Sequence, residues 1–535
     1  MKVARIAYLL ADNDPLSLET ISHLEYDAGA NRPSRVSITI DGESIEKARW
    51  PTGYDSAELG SEVTLSITPV GKTKAESLFK GFLIERRFQI EDSRPQMLLV
   101  AYCSAVKAGE GLLGNVNNQQ TEGNDNKLIE KILKDAGVTI KTGSPASLAC
   151  KQRILPPTSP WNFARHRAAA NGLVLISGLD GVSISAPSFD STPLELTIGL
   201  SSIISLNLGE DATRLLTETE VSAWDIKTQE LIKSPPAKAT GGADKAAKKL
   251  GLKKLAYTQT ATSSKEECEA DAKARILAAR LAHRQGSVDI EGYFAAKVGD
   301  NIKIIKAGAR FTDPYWISGF NLSVEKKSVR TTLTLGMEPE RYWAPEVLPI
   351  PPLMFGKVAD FKDDPDGLLR FQVKLSGLRN EALVWARLGT PLAGNKKGLY
   401  LPPKKDDEVV VGFIGDNWDC PVILASVHNP KQLPPISYAK EMPKFGLVLD
   451  EKGLQWLMDE KTKELTLSAA DKKPAIKLSA EEGLSIGDEK STLVFNKGIA
   501  IKSTDENGVR IEGKKIDIIS KSDVEIKVSG FVNIS

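Results

Sequence analysis

From Phe445 to Ser535 the chain repeats one short pattern of apolar and polar positions. Gly446-Leu-Val-Leu449, Gly453-Leu454, Gly483-Leu-Ser-Ile486, Gly498-Ile-Ala-Ile501 and Gly508-Val-Arg-Ile511 each join a glycine to apolar-x-apolar alternation. Period two is the signature of a half-buried strand, and glycine supplies the positive φ that tight corners need. Towards the end Val509, Ile516, Val524 and Phe531 recur about every seven to eight residues, the scale of a β-solenoid rung. Lys502, Arg510, Glu512, Asp517, Glu525 and Lys527 take the outward positions. One copy carries too little apolar surface per rung to close a core. Several chains are therefore expected to wrap around one axis, with Ile501, Ile511 and Ile518 in the seam between them.

The same alternation predicts strands at Arg35–Ile40, Glu62–Ile67, Phe79–Ile84 and Met97–Tyr102. The glycine-rich, polar stretch Gly109–Asn126 reads as a loop. A helix is predicted over Lys127–Ala136, and a second over Pro160–Ala170 with Ser159 as N-cap, Pro160 at its first position and Gly172 past its end. Strands resume around Leu173–Ser185 and Leu194–Leu208. A linker-like Lys233–Gly242 leads through a lysine-rich stretch to the longest helix, Ser264 to about His283, opened by the capping box Ser264-Lys-Glu-Glu267. Strands fill Gly286–Gly336, and Pro345–Pro352 forms a semi-rigid spacer. Beyond it, Gly356–Val358, Leu369–Leu375, Val384–Leu388, Glu408–Ile414 and Val422–Val427, with a turn at Asp364-Pro-Asp-Gly367, fit the five strands of an OB-fold.

A chain of 535 residues is expected to hold several domains, since single cores stop growing at roughly 250–300 residues. Lys+Arg 70 against Asp+Glu 69 gives no net pull towards nucleic acid or an anionic membrane. The run Met1–Leu10 is too short and too interrupted for a signal peptide, and no stretch reaches the roughly twenty apolar residues of a membrane span. A protein made in the cytoplasm is expected. The four cysteines (Cys103, Cys150, Cys268, Cys420) are far apart, which suggests neither a disulfide framework nor a zinc site.

Little catalytic chemistry is legible. His23, His166, His283 and His428 stand alone, and structural or surface roles are expected for them. Cys420, beside Asp419 and Pro421, has no visible base and reads as an inert thiol. Asp363, Asp364 and Asp366 fit a solvated, hydrogen-bonding turn better than a calcium site or a catalytic pair. The lysines from Lys238 to Lys254 lack interleaved aromatics and read as a flexible solvated loop. Phe355, Phe371, Trp385, Tyr400, Phe413 and Trp418 read as barrel packing and loop residues, not a stacking platform. No nucleic acid, metal or cofactor is expected.

The stretch Leu399-Tyr-Leu-Pro-Pro-Lys-Lys-Asp-Asp-Glu-Val-Val-Val-Gly-Phe413, followed by Gly415-Asp-Asn-Trp-Asp-Cys-Pro-Val-Ile-Leu-Ala-Ser-Val-His-Asn429, resembles the OB domain of contractile-tail spike proteins. These are the VgrG proteins of type VI secretion, the baseplate spikes of contractile phages, and the spikes of extracellular injection systems such as the antifeeding prophage and Photorhabdus virulence cassettes. The last group is the nearest. Ser159–Leu173 resembles that family's hub helix, and Val298-Gly-Asp300, Tyr315-Trp-Ile317 and Thr331–Leu335 resemble its second tube-like domain. The resemblance implies a mainly β, multidomain homotrimer. Its parts would be a hub of tube-like β-barrel domains with a few helices (1–345), an OB-fold collar (353–432), and an intertwined triple-stranded β-helix needle (445–535).

It also implies partners: an inner tube initiator protein, baseplate wedge proteins, the target cell envelope, and a PAAR-like cap on the tip residues Phe531, Val532, Asn533, Ile534 and Ser535. Any metal would belong to that cap. Some phage spikes carry a lysozyme between OB domain and needle, but Lys431–Lys444 is too short to hold one, and no effector domain is expected after Ser535. The expected function is that of a non-enzymatic spike which joins the tube and punctures an envelope, assembled into a baseplate and then released. A type VI or phage spike is the alternative. An envelope-polysaccharide hydrolase would need carboxylates facing each other across a groove, and the outward needle residues form no such pair.

Overall fold

The computed structural model describes residues 3–9, 21–42, 58–69, 72–91, 94–109, 111–117, 124–142, 153–239, 242–251, 254–262, 264–325, 328–338, 348–379, 383–438, 440–441, 444–449, 453–469, 473–488, 491–496, 498–504, 508–512, 514–525 and 527–530. The chain divides into two compact units, Met1–Val427 and His428–Ser535.

Six strands open the first unit: β1 (Val3–Leu9), β2 (Ile21–Gly29), β3 (Arg32–Asp41), β4 (Glu62–Pro69), β5 (Glu76–Glu91) and β6 (Arg94–Tyr102). An insertion follows, with β7 (Asn115–Asn117), α1 (Asp125–Asp135), β8 (Ile140–Thr142), β9 (Arg153–Leu155), α2 (Pro160–Ala170), β10 (Val174–Gly178) and β11 (Gly181–Ser185). Then come β12 (Leu194–Thr197) and β13 (Ile203–Glu210). A second insertion holds β14 (Glu218–Asp225), β15 (Glu230–Lys233), β16 (Ala237–Lys238), α3 (Gly242–Lys249), β17 (Leu255–Thr262) and α4 (Lys265–His283). Four more strands complete the set: β18 (Arg284–Glu291), β19 (Asn301–Ile305), β20 (Tyr315–Glu325) and β21 (Ser328–Leu335).

With the insertions set aside, the sheet is a duplication. The first six strands lie in the order β1-β4-β5-β6-β3-β2, and the second six in the order β12-β19-β20-β21-β18-β13. Numbered within each set, both read first, fourth, fifth, sixth, third, second. One pairing differs in direction: β1–β4 is antiparallel and β12–β19 parallel. Pairing of β2 with β20, from His23 opposite Glu325 to Gly29 opposite Gly319, fuses the sets into one twelve-stranded sheet. Alternation aims Leu24, Ile38, Leu65, Leu99, Leu322 and Leu333 into one shared core, as period two requires.

The predicted strands and helices of this region form, most with ends moved by up to three residues; β5 runs on to Glu91, well past the predicted Ile84, and the stretch Leu194–Leu208 splits into β12 and β13. Ser159 Oγ accepts from Asn162 N at the head of α2, and Gly172 takes φ +71° past its end. The capping box of α4 is complete: Ser264 Oγ accepts from Glu267 N, and Glu267 Oε2 accepts from Ser264 N. Two loop expectations are corrected. Gly109–Asn126 contains β7, paired with β9. The lysine-rich stretch contains α3, whose Ala247 packs on Leu215, so burying one apolar stripe outweighs charge density there.

The barrel closes through β22 (Met354–Val358), β23 (Arg370–Leu375), β24 (Leu383–Leu388), β27 (Glu408–Phe413) and β28 (Pro421–Ser426), with a small hairpin of β25 (Ala393–Gly394) and β26 (Lys397–Gly398). Val373, Val384, Val409, Val411 and Ile423 fill it, and Ile154 of β9 joins that core. The aspartate turn is less solvated than expected. Asp364 Oδ2 accepts from Leu368 N, Arg370 N and Arg370 Nε, and its side chain is only 4% exposed. Burial raises its pKa, but hydrogen bonds from Arg370 and from the Asp366 and Arg370 main chain outweigh that and hold it at about 2.

A buried ionic junction ties the insertions to the barrel. Arg153 pairs with Asp125 at 3.0 Å, with Asp419 of the β27–β28 turn at 2.7 Å, and with Glu267 of α4. Asp419 Oδ1 also accepts from Ile154 N at 2.8 Å, and Arg167 closes on Asp125 from α2. Burial raises the Asp125 and Glu267 pKa values, yet the arginines pull both below the ordinary carboxylate range.

Removing one partner of a buried ion pair costs about 3–5 kcal/mol. Arg153→Met should therefore lower the urea midpoint of the full chain sharply, and adding Asp419→Asn should recover part of the loss. A midpoint unchanged by Arg153→Met would contradict this account. The sign with pH follows from depressed folded pKa values: the stabilisation is complete above about pH 4 and is lost as pH falls through the folded values. For Asp364 that window runs from about 4 down to about 2, and Asp364→Asn should flatten the acid limb of a melting-temperature profile.

Candidate assembly surfaces

The second unit is a seven-stranded antiparallel meander: β29 (Lys444–Val448), β30 (Gln455–Asp459), β31 (Glu464–Ala469), β32 (Lys473–Ser479), β33 (Gly483–Gly487), β34 (Ser491–Phe495) and β35 (Ile499–Ser503). Residues directly opposite across antiparallel strands share a face. Following the register across the sheet gives Leu447, Trp456, Leu467, Ile476, Ile486, Leu493 and Ile501 in one row. The neighbouring row on the same face is Phe445, Met458, Leu465, Leu478, Leu484, Phe495 and Ile499. Both ladders are apolar on every strand. The reverse face mixes Thr466, Lys477, Ser485, Thr492 and Lys502 with a few apolar residues, and Lys477 there pairs with Glu464 at 2.7 Å.

Among the described residues of the unit, nothing buries this face. Among its described residues no apolar side chain is buried, and none joins any of the buried clusters of the chain. Trp456 is 45% exposed, Leu478 49% and Ile501 53%. Burying one such side chain is worth roughly 1.5–3 kcal/mol, so a two-lane face left in water is a strong drive to associate.

The sequence-predicted seam residues fall in two places. Ile501 ends the first ladder on β35. Ile511 and Ile518 are exposed and lie after the last described strand, among described residues with no strand assigned. The outward positions Lys502 and Arg510 are exposed, as are Val509, Ile516 and Val524 of the shorter repeat. The tip residues Phe531–Ser535 lie outside the described residues. Sequence reasoning missed Trp456, Leu467, Ile476 and Leu478: period two shows which residues share a face, but only cross-strand register shows that the rows line up.

The titratable candidates are dispersed. Burial first, then Arg167, holds the His166 pKa at about 4, so the imidazole is neutral and packed. His283 Nδ1 lies 2.8 Å from Asp211 O beyond α4. Cys103 and Cys268 are buried and Cys420 half-buried, all as free thiols. Among the described residues no group of His, Cys, Asp and Glu is arranged to hold a metal, and no helix is long and apolar enough to cross a membrane. On the barrel an open groove of about 890 Å³ carries exposed Phe361, Leu369 and Tyr400 beside both lysines and aspartates. Trp385 and Trp418 are buried, and the Trp418 indole donates to Pro349 O at 2.6 Å.

Comparison with known proteins agrees with this architecture. The family described as the Alg8 N-terminal domain matches residues 17–326. The type VI secretion system/phage-baseplate injector OB domain matches residues 354–428. Among solved structures, the lidded Francisella PdpA-VgrG complex superposes with a TM-score of 0.56 at 9% identity, over 91% of this chain and 80% of that one. The E. coli c3393 protein is a component of the type VI secretion system with structural similarity to the T4 tail proteins gp27 and gp5. It superposes with a TM-score of 0.50 at 13% identity, over 78% of this chain and 99% of that one. At such identities the likeness is one of fold, mainly β with an OB barrel. No curated protein matches.

The ladders make a face-specific prediction. Ile486→Asp, on the apolar face, should change the association state of the full chain in sedimentation, because an unpaired charge in an apolar contact costs on the order of several kcal/mol. Ser485→Asp, one residue away on the reverse face, should not. Equal effects from both would mean that the ladder face is not the contact.

Proposed function

We propose that this chain, which belongs to the family described as the Alg8 N-terminal domain, is the central spike of a contractile injection apparatus and works as a homotrimer. The observation that carries the reading is the pair of uncovered apolar ladders. Three copies packed ladder to ladder around one axis bury all of them, and the mixed polar faces form the outer skin of a stiff prism. A closed trimer leaves no free edge for further growth.

In this reading the twelve-stranded sheets form the hub. Three copies supply six similar six-stranded sets, a pseudo-sixfold seat for an inner tube initiator protein, with baseplate wedge proteins around it. The needle transmits the contraction stroke and punctures the target envelope. It acts mechanically, without catalysis, cofactor or nucleic acid. Assembly takes place in the cytoplasm, and the finished particle is then released to act outside the cell, as extracellular injection systems do.

Two measurements test this. Sedimentation of the full chain should give a trimer of the 58.0 kDa subunit; a stable, folded monomer would remove the basis of the model. The tip run Gly530–Ser535 is proposed to seat a PAAR-like cap protein. Deleting it should abolish pull-down of such a cap, and undiminished binding would rule the tip site out.

A further inference from the structure

The spike reading gives the barrel a place in the assembly but no partner of its own, and its surface is not that of an inert collar. The open groove of about 890 Å³ lies beside β23 and β24, between the loop that joins β22 to β23 and the β25–β26 hairpin. That size falls within the roughly 300–1,000 Å³ of pockets that enclose a ligand. Phe361 and Leu369 line it from the loop, and Leu392, Leu399 and Tyr400 from the hairpin side. All five are exposed, Leu369 by 87% and Tyr400 by 74%. Apolar side chains gathered in one concavity and rimmed by polar groups mark a place where another molecule sits.

Both walls are held in place. On the hairpin side Gly398 has φ +146°, and a Cβ there would lie 2.4 Å from Leu392 O. Thr390 Oγ1 donates to Leu399 O at 2.6 Å. On the loop side Arg370 braces the turn through Asp364 at 2.7 Å and Asp366 at 2.6 Å.

The charges decide what the occupant is. Asp364 and Asp366 are taken up by Arg370, and Asp360 by Lys405 at 2.6 Å. In the rest of the lining Lys362, Arg387, Lys396 and Lys397 face a single carboxylate, that of Asp363. Among the described residues Arg387, Lys396 and Lys397 enter no ion pair. A nucleic acid would need stacking faces along the groove. Phe371 instead stands edge-on to Phe361 at 5.8 Å, and Trp385 is buried. Three leucines offer neither a stacking plane nor a polar group to a base or a sugar ring. They do fit aliphatic side chains.

We propose that this groove docks an extended, acidic segment of a partner protein, with its carboxylates on Arg387, Lys396 and Lys397 and its apolar side chains on Leu369, Leu392, Leu399 and Tyr400. An extended chain sends alternate side chains to opposite sides. One strand-like segment can therefore offer apolar residues and carboxylates together.

Fluorescence anisotropy on the full chain tests this, with a labelled peptide that alternates Glu and Leu. The peptide should bind, and more weakly as salt is raised. Lys396→Glu with Lys397→Glu, and separately Tyr400→Ser, should each weaken binding about tenfold or more. The paired substitution should instead bind a Lys–Leu peptide that the unaltered chain does not, a gain that misfolding cannot produce. No binding of the Glu–Leu peptide, or equal binding of a Glu–Ser peptide, would overturn the proposal. Tighter binding of oligogalacturonate or of single-stranded oligothymidylate would overturn it too, making the groove a glycan or nucleic-acid site. A changed association state in the paired variant would also overturn it, since a second copy would then cover the groove. None of these results bears on the trimer of the unaltered chain, which sedimentation measures by itself.

Discussion

Main-chain hydrogen bonding between β2 and β20 is the interaction on which the twelve-stranded sheet depends. Without it the chain would hold two six-stranded sheets, each with a long open edge and half of its core row in water. With it, Tyr26 covers Leu322 and Leu24 covers Val324, and all four enter one core. The duplication makes β5 an internal control for this effect. It shares the position and bulge of β20 and ends in similar apolar alternation, yet Phe88 and Ile90 are exposed where Leu322 and Val324 are buried. Alternation alone therefore does not decide burial. A strand edge is specific in a way an apolar face is not, because a slip by one residue turns every side chain to the wrong side.

The barrel is fixed differently. Apolar contact with the insertion is supplied by Ile154, and the rest of the joint is charged: one guanidinium shared among three carboxylates, with Arg167 closing the set. Such a junction adds little net stability over an apolar one, since each ion must first be stripped of water. Its distinguishing property is direction. Asp419 takes both Arg153 and the Ile154 main-chain N–H, so only one orientation of the β27–β28 turn satisfies it. In the proposed spike, where a stroke delivered to the hub must reach the needle through the barrel, a joint with one allowed geometry serves better than a greasy contact that can slide.

Much of this was legible in the sequence, and the misses have physical causes. Alternation located β3, β4 and β6, and the signals around Ser159 and Gly172 bounded α2 to the residue, because caps and turns are local chemistry. The barrel strands were found for the same reason. α3 was missed because eight residues rich in lysine look solvated until Ala247 meets Leu215. Asp364 was read as solvated because its five-fold hydrogen bonding depends on Arg370 folding back over the turn. Of the candidate seam, Ile501 was placed on the face that the ladders define. The ladders themselves and the strand order of the duplication are facts about register between distant segments. Nothing within a window of ten residues encodes them.

In the proposed spike, apolar burial and strand pairing differ in kind. A face of fourteen apolar residues in two straight lanes is attractive in almost any alignment, since burial is not directional. Strand pairing such as that of β2 with β20 accepts only one register. The two-lane face therefore supplies a drive to associate, while main-chain pairing between its strands sets the spacing of the lanes. Each rung touches only its neighbours, so zipping can proceed strand by strand as in other one-dimensional repeats. The glycine corners help by keeping the meander regular: at Gly487, with φ +138°, an added Cβ would lie 2.0 Å from Ser491 O. Register along the meander is thus set by main-chain hydrogen bonds and tight corners, and its apolar face supplies the drive to associate.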